Sequence, residues 1–148
     1  MKSTESVERR VIVAGFGPVG RAVVQMLEAA GIRVTIVEQN SETVKTQSDL
    51  GKSTVLGDIS DPQVLRQAGV ADAAALILTI PDEQASFRAC AEARRVKPGI
   101  FIAVRTNHVS GAMRAKQQGA DHVTVQEVVT AESMRQAVML HLVGDDDR

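Results

Sequence analysis

The residues whose types and spacing point to chemistry lie between Val11 and Glu38. Gly15-Phe16-Gly17-Pro18-Val19-Gly20 follows the apolar run Val11 to Ala14 and fits the pattern G-x-G-x-x-G. Each glycine has a physical task. Gly15 permits the tight turn out of a strand. Gly17, without a Cβ, lets a pyrophosphate approach the backbone. Gly20 lets the following helix pack closely on the sheet. The unpaired N–H groups at that helix start, with the positive end of its dipole, make an anion site. Pro18 has no N–H to donate, but its fixed φ suits the first helical turn. Glu38 follows Gly20 by 18 residues. There a carboxylate accepts hydrogen bonds from the two ribose hydroxyls of an adenosine and repels a 2′-phosphate, which disfavours NADP. The chemistry is therefore nucleotide or dinucleotide binding. The structural alternative is a unit that has lost its ligand and keeps its glycines for packing.

The elements that must position these residues follow from the hydrophobic pattern. Val19, Ala22, Val23, Met26, Leu27 and Ala30 recur at the spacing of one helix face, and Gly31 ends that helix. Val34 to Val37 is a second strand. Ser41 is expected to cap a helix running to about Leu50. Ser53 to Leu56 is a short third strand. Asp61 before Pro62 is a strong helix start, and Gly69 a stop. Ala73 to Thr79 is a continuous apolar run, as in a parallel strand covered on both faces, and Pro81 breaks it. A helix over Asp82–Lys97, a strand over Ile100–Val104, a helix over Ser110–Gln118, a strand over His122–Val125 and a helix from Glu127 to about Val143 complete the series. Six strands alternating with helices predict a Rossmann-like α/β fold. It is a doubly wound parallel sheet of order 3-2-1-4-5-6 with helices on both faces and the ligand above the first and fourth strands. One domain, residues 10–143, is expected between a disordered arm, 1–9, and a solvated tail or linker, 144–148.

Composition narrows the function. A net charge of −1 implies no broad basic surface, and three Phe with no Trp or Tyr leave no stacking platform, so nucleic acid is not an expected partner. No apolar run approaches the roughly 18 residues of a membrane span. The single cysteine, Cys90, excludes an internal disulfide and lies on an apolar helix face, where an inert buried thiol is expected. His108, His122 and His141 are scattered. They form no metal-ligand pattern and no acid–base pair with a nucleophile, so neither a metal site nor catalysis is expected.

Further segments carry a family resemblance. After the glycine turn and Glu38 come Gly57-Asp58, then Asp61 to Gly69-Val70, similar to a "G-D … L … A-G" segment. Arg105 and Gly119-Ala-Asp-His-Val123 are similar to an "A-R … G-A-D-x-V" ending. In this order they resemble the nucleotide-binding N-domain of potassium-transport regulators, called TrkA-N, RCK or KTN, with the Kef-type antiporter branch nearest. The resemblance implies an adenine-nucleotide ligand, NAD(H) or AMP, ADP or ATP, and a potassium channel or transporter membrane domain as partner. It also implies a cytoplasmic place as the soluble part of an inner-membrane transport protein. It puts the ribose on Glu38, with Gln39 beside it, and the adenine near Asp58 and Ile59. Thr79 and Ile80 fall near the phosphates or second nucleoside, and Arg105 faces the same crevice. Pro81 departs from the pattern and bears on the second half of a dinucleotide.

Several of these positions have a second reading. Asp58 touches the adenine amino group or only shapes the turn with Gly57. Arg105 meets a phosphate, pairs with Asp82 or faces water. Thr79 contacts ligand through its backbone or hydroxyl. Val138 to Val143 is apolar almost all round the last helix, more than one sheet face needs. Either the chain's own loops cover it or it buries a side against a second copy, as the resemblance implies. The expected function is a regulatory sensor whose bound nucleotide biases dimer geometry and so gates potassium transport. The alternatives are an NAD-dependent oxidoreductase or a fragment of one, and an S-adenosylmethionine methyl-transfer domain. The first lacks a substrate-side acid–base group, and the second fits the glycine spacing poorly.

Overall fold

A computed structural model describes residues 9–144. The expected arm and tail lie outside the described residues, apart from Arg9 and Gly144. The elements run β1 (Arg10–Ala14), α1 (Pro18–Ala29), β2 (Arg33–Glu38), α2 (Ser41–Asp49), β3 (Ser53–Leu56), α3 (Pro62–Ala68), a 3-10 turn (Val70–Asp72), β4 (Ala75–Leu78), α4 (Glu83–Val96), β5 (Phe101–Thr106), α5 (Val109–Gln117), β6 (His122–Val125) and α6 (Gln126–Leu142). The strands pair in parallel in the order β3-β2-β1-β4-β5-β6, as expected. Among the described residues no helix is long and apolar enough to cross a membrane.

Local chemistry sets most boundaries. The Asp61 carboxylate accepts the Gln63 N–H at 2.9 Å, and Gly69, at φ +88°, ends α3. Asp82 caps α4 by accepting the Ala85 N–H at 3.1 Å. Two expectations shift. Asn40, not Ser41, caps α2: its side-chain oxygen accepts the Thr43 N–H at 3.0 Å, and Ser41 is already helical. The strand expected from Ala73 begins at Ala75, because Ala73 still bonds back to Val70 across the 3-10 turn. Ala74 then meets β1 through Arg10 O at 2.8 Å.

The core divides between the two faces of the sheet. On one, Ile12, Val37, Leu76, Leu78, Ile102 and Val104 meet α3, α4 and α5, with Phe87, Ala89, Cys90 and Ala93 packed inward. Burial pushes the Cys90 thiol up to about 11, so it stays protonated and inert, as expected. On the other face Val11, Val13, Phe16 and Ile36 meet α1 through Val24. The helices of this second face lie over β1 to β3, with Ala75 and Ile77 of β4 partly packed against the same core. Phe101 (48% exposed), Ala103, Arg105, His122 and Thr124 alternate onto its open half. The last helix, α6, leaves from there with no residue buried. It is not a core helix covered by the chain's own loops.

One polar hub ties the second half of the sheet together. The Arg94 guanidinium donates to the carbonyls of Gly119, Pro98 and Ile100 and to Asp121 Oδ2 at 2.7 Å, while that oxygen also accepts the Ile102 N–H at 2.8 Å. The Ile102 amide, followed by the Arg94 bond, holds the Asp121 carboxyl below its usual range. A lowered folded-state pKa stabilises the fold above the unfolded value and ceases to do so as pH falls through the folded one. Asp121→Ala is expected to cost about 1–2 kcal/mol at pH 7, since Ile102 loses its acceptor while Arg94 keeps three carbonyls. Denaturant melts of both proteins should converge as pH falls below about 4, where the wild-type carboxyl also protonates. A difference independent of pH would refute the charged role.

Candidate functional site

β1 and β4 run side by side, so the turn after β1 meets the end of β4. Gly15 takes φ +96° and donates its N–H to Val37 O at 2.9 Å. Thr79 clamps the same turn twice. Its N–H donates to Ala14 O at 2.9 Å, and its hydroxyl donates to Ala14 O at 2.8 Å, with Gly15 O 3.3 Å away. The Thr79 hydroxyl proton is thus committed to positioning the turn, while Thr79 also lines the crevice above it. The glycines divide their work by space. A Cβ on Gly20 would lie 2.0 Å from Gly15 O, and one on Gly15 would lie 2.7 Å from Thr79 Oγ1. A Cβ on Gly17 would meet nothing within 4 Å. Gly17 is the extended residue before α1, Pro18 opens the helix, and Val19 is exposed beside it. Phe16 points the other way. Its ring is buried in the α1-side core with the Arg21 guanidinium 5.1 Å from the ring centre, so the ring is not offered to a ligand.

Above this turn lies a crevice of about 520 Å³, lined by Gly15 to Gly20, Glu38, Thr79, Ile80, Pro81, Arg105 and Gln126. A second cavity of about 210 Å³ shares Glu38, Ile80 and Pro81 and continues to Gln39, Gly57, Ile59 and Asp82. The carboxyl ends of β1, β2, β4 and β5 therefore meet at one place. Arg105 Nε is buried there with no hydrogen-bond partner. It does not pair with Asp82, which is engaged as the α4 cap. A buried guanidinium nitrogen without an acceptor is unfavourable unless an anion or water reaches it. The crevice therefore presents a carboxylate on the β2 side, a guanidinium with its Nε unpartnered on the β5 side, and open space over Gly17. That order suits a ribose followed by phosphate, and the residues present fit a nucleotide.

Two positions add to the sequence reading. Asp58 borders neither cavity. Its Oδ1 accepts the Ser60 N–H at 2.8 Å and bonds the Ser60 hydroxyl at 2.7 Å, so its turn-shaping role is the one observed. Gln126, the first residue of α6, lines the crevice but was not anticipated. The signal available was its place at the carboxyl end of a parallel strand, where such sheets bind ligands.

Comparison with known proteins bears on this site. The family model described as TrkA-N domain matches residues 11–126. The glutathione-regulated potassium-efflux system protein KefC of Cronobacter sakazakii is 30% identical over 110 residues, which make up 74% of this chain and 18% of that protein. The chain thus spans about a fifth of the length of the curated relatives it matches. The crystal structure of the TrkA-N domain of the inner membrane protein ybaL from Escherichia coli superposes with a TM-score of 0.83 at 27% identity, over 88% of this chain and 96% of that one. The Shewanella denitrificans Kef CTD, solved in an AMP-bound form, gives 0.80 at 22% identity, over 93% and 83% of the chains, a likeness of fold.

Proposed function

Because the chain belongs to the TrkA-N domain family, we propose that it is a non-enzymatic regulatory domain that binds an adenine nucleotide and controls potassium transport through the geometry of its dimer. The observation that carries this reading is the Arg105 nitrogen, buried without a partner across the crevice from Glu38. In this reading Glu38 holds the ribose hydroxyls. The open backbone at Gly17 and the start of α1 receive the phosphates, and Arg105 neutralises them. Ile59 and Gln39 flank the adenine in the second cavity. The ligand is AMP, ADP, ATP or NAD(H), and the Glu38 carboxylate disfavours a 2′-phosphate.

The dimer rests on α6. Val128, Val129, Met134, Val138, Met139, Leu140 and Leu142 are all exposed along it, Leu140 at 73% and Leu142 at 75%. So much exposed apolar surface marks an interaction site. Half a sheet face lies open where the helix leaves. A second copy supplies the same two surfaces, and a two-fold arrangement satisfies both at once. A nucleotide then shifts transport only by its different affinity for two dimer arrangements. The partner is a potassium channel or transporter membrane domain, as in the relatives, and the domain works on its cytoplasmic side.

Titration calorimetry with AMP, ADP, ATP, NAD, NADH and NADPH tests the reading, with sedimentation giving the oligomeric state. Micromolar binding of at least one adenine nucleotide is expected, with NADPH weaker than NADH by about tenfold or more. Binding by none of them would end it. Turnover of a bound nicotinamide cofactor with a substrate would favour an oxidoreductase instead.

A further inference from the structure

The crevice and α6 are joined by a chain of contacts that ligand binding as such does not require. With no buried residue, α6 takes its direction from its first turn. That turn is tied to the loop after β5: the Glu127 N–H donates to Asn107 O at 3.2 Å, and Glu127 Oε2 lies 3.5 Å from His108 Nδ1. The same residue is held from the other side, because the Asn107 N–H donates to Glu83 Oε1 at 2.7 Å. Glu83 sits in the first turn of α4, directly after Pro81 and Asp82, which wall the cavities. Its carboxylate is fixed from a third direction. It lies over the start of α5, where a Cβ on Gly111 would be 3.0 Å from Oε1, and His108 provides no side-chain cap. An anion there satisfies the positive end of α5.

We propose that Glu83 is a positioning residue that couples occupancy of the crevice to the orientation of α6, by holding Asn107 between the wall of the crevice and the Glu127 amide. This rests on the reading of the crevice as a nucleotide site. A nucleotide seated against Ile80 and Pro81 fixes the first turn of α4. Glu83 moves with that turn, and the two main-chain groups of Asn107 carry the constraint to α6. Gln126, on the crevice wall itself, reports the same event one residue away.

Amide hydrogen exchange at Glu127 to Thr130, with and without saturating AMP and, in parallel, NADH, tests this alongside calorimetry on the same samples. In the wild type the bound nucleotide should slow exchange at Glu127 about tenfold, the effect of one stabilised hydrogen bond. Glu83→Ala should bind nucleotide nearly as well, yet show no nucleotide-dependent change at Glu127. Glu83→Gln keeps a side-chain carbonyl for Asn107 and should retain the change, which separates coupling from general loosening of the fold. A Glu83→Ala protein that responds like the wild type would overturn the coupling role, as would a wild type that binds nucleotide without responding at α6. Absence of any binding to the wild type overturns the nucleotide reading with it, and calorimetry tells the two failures apart.

Discussion

Gly20→Ala is expected to lower the melting temperature by on the order of 10 °C, whereas Gly17→Ala leaves it nearly unchanged and weakens nucleotide binding instead. Two effects oppose each other at Gly20. Alanine is the better helix former by about 1 kcal/mol. Its Cβ, however, would lie 2.0 Å from Gly15 O and 3.0 Å from Thr79 Oγ1, and backbone cannot yield as a side-chain tip does. Relieving that overlap means moving α1 off the turn, at a cost of about 3 kcal/mol or more. The clash wins, and because the turn itself moves, binding is lost as well. At Gly17 the added methyl meets no protein atom. Its φ of −79° is one any residue adopts. The methyl costs the fold little and occupies the space over the backbone where phosphate passes. Thermal melts and calorimetry on the two variants separate the roles. A Gly20→Ala protein that melts like the wild type would disprove the close contact. A Gly17→Ala protein with wild-type affinity would show that the ligand takes another path.

Glu38→Ala is expected to weaken adenine-nucleotide binding about 30-fold or more, because two hydrogen bonds to a charged acceptor contribute about 1.5–3 kcal/mol each before losses. Stability should change little. The structural bond at this residue is main-chain, Gly57 N–H to Glu38 O at 3.0 Å, and the substitution spares it. Loss of the carboxylate also removes the repulsion of a 2′-phosphate. The gap between NADH and NADPH should therefore narrow while both bind weakly. Calorimetry with adenosine and 2′-deoxyadenosine nucleotides is the sharper check: the wild type should discriminate between them and Glu38→Ala should not. Equal discrimination by both proteins would remove Glu38 from the ribose site.

The strand order, the α3 cap, the glycine turn and the inert Cys90 were all legible in the residues, because each rests on local chemistry or on a period. Asp61 and Pro62 start a helix wherever they occur in this order. The run around Leu76 is a parallel strand buried on one face, through Leu76 and Leu78, and half-covered on the other, through Ala75 and Ile77. Positions whose meaning depends on distant partners were not legible. That the Thr79 hydroxyl clamps the glycine turn depends on Ala14, 65 residues away. Gln126 joined the crevice only when β6 took its place at the sheet edge. The apolar excess of α6 was plain in the residues. That none of it is buried in the chain follows from where the other helices lie, since α1 and α2 leave half a face open. Periodicity states which side of an element is apolar. Which surface meets it, and whether a polar group still has a bond to offer, is set by contacts far apart along the chain.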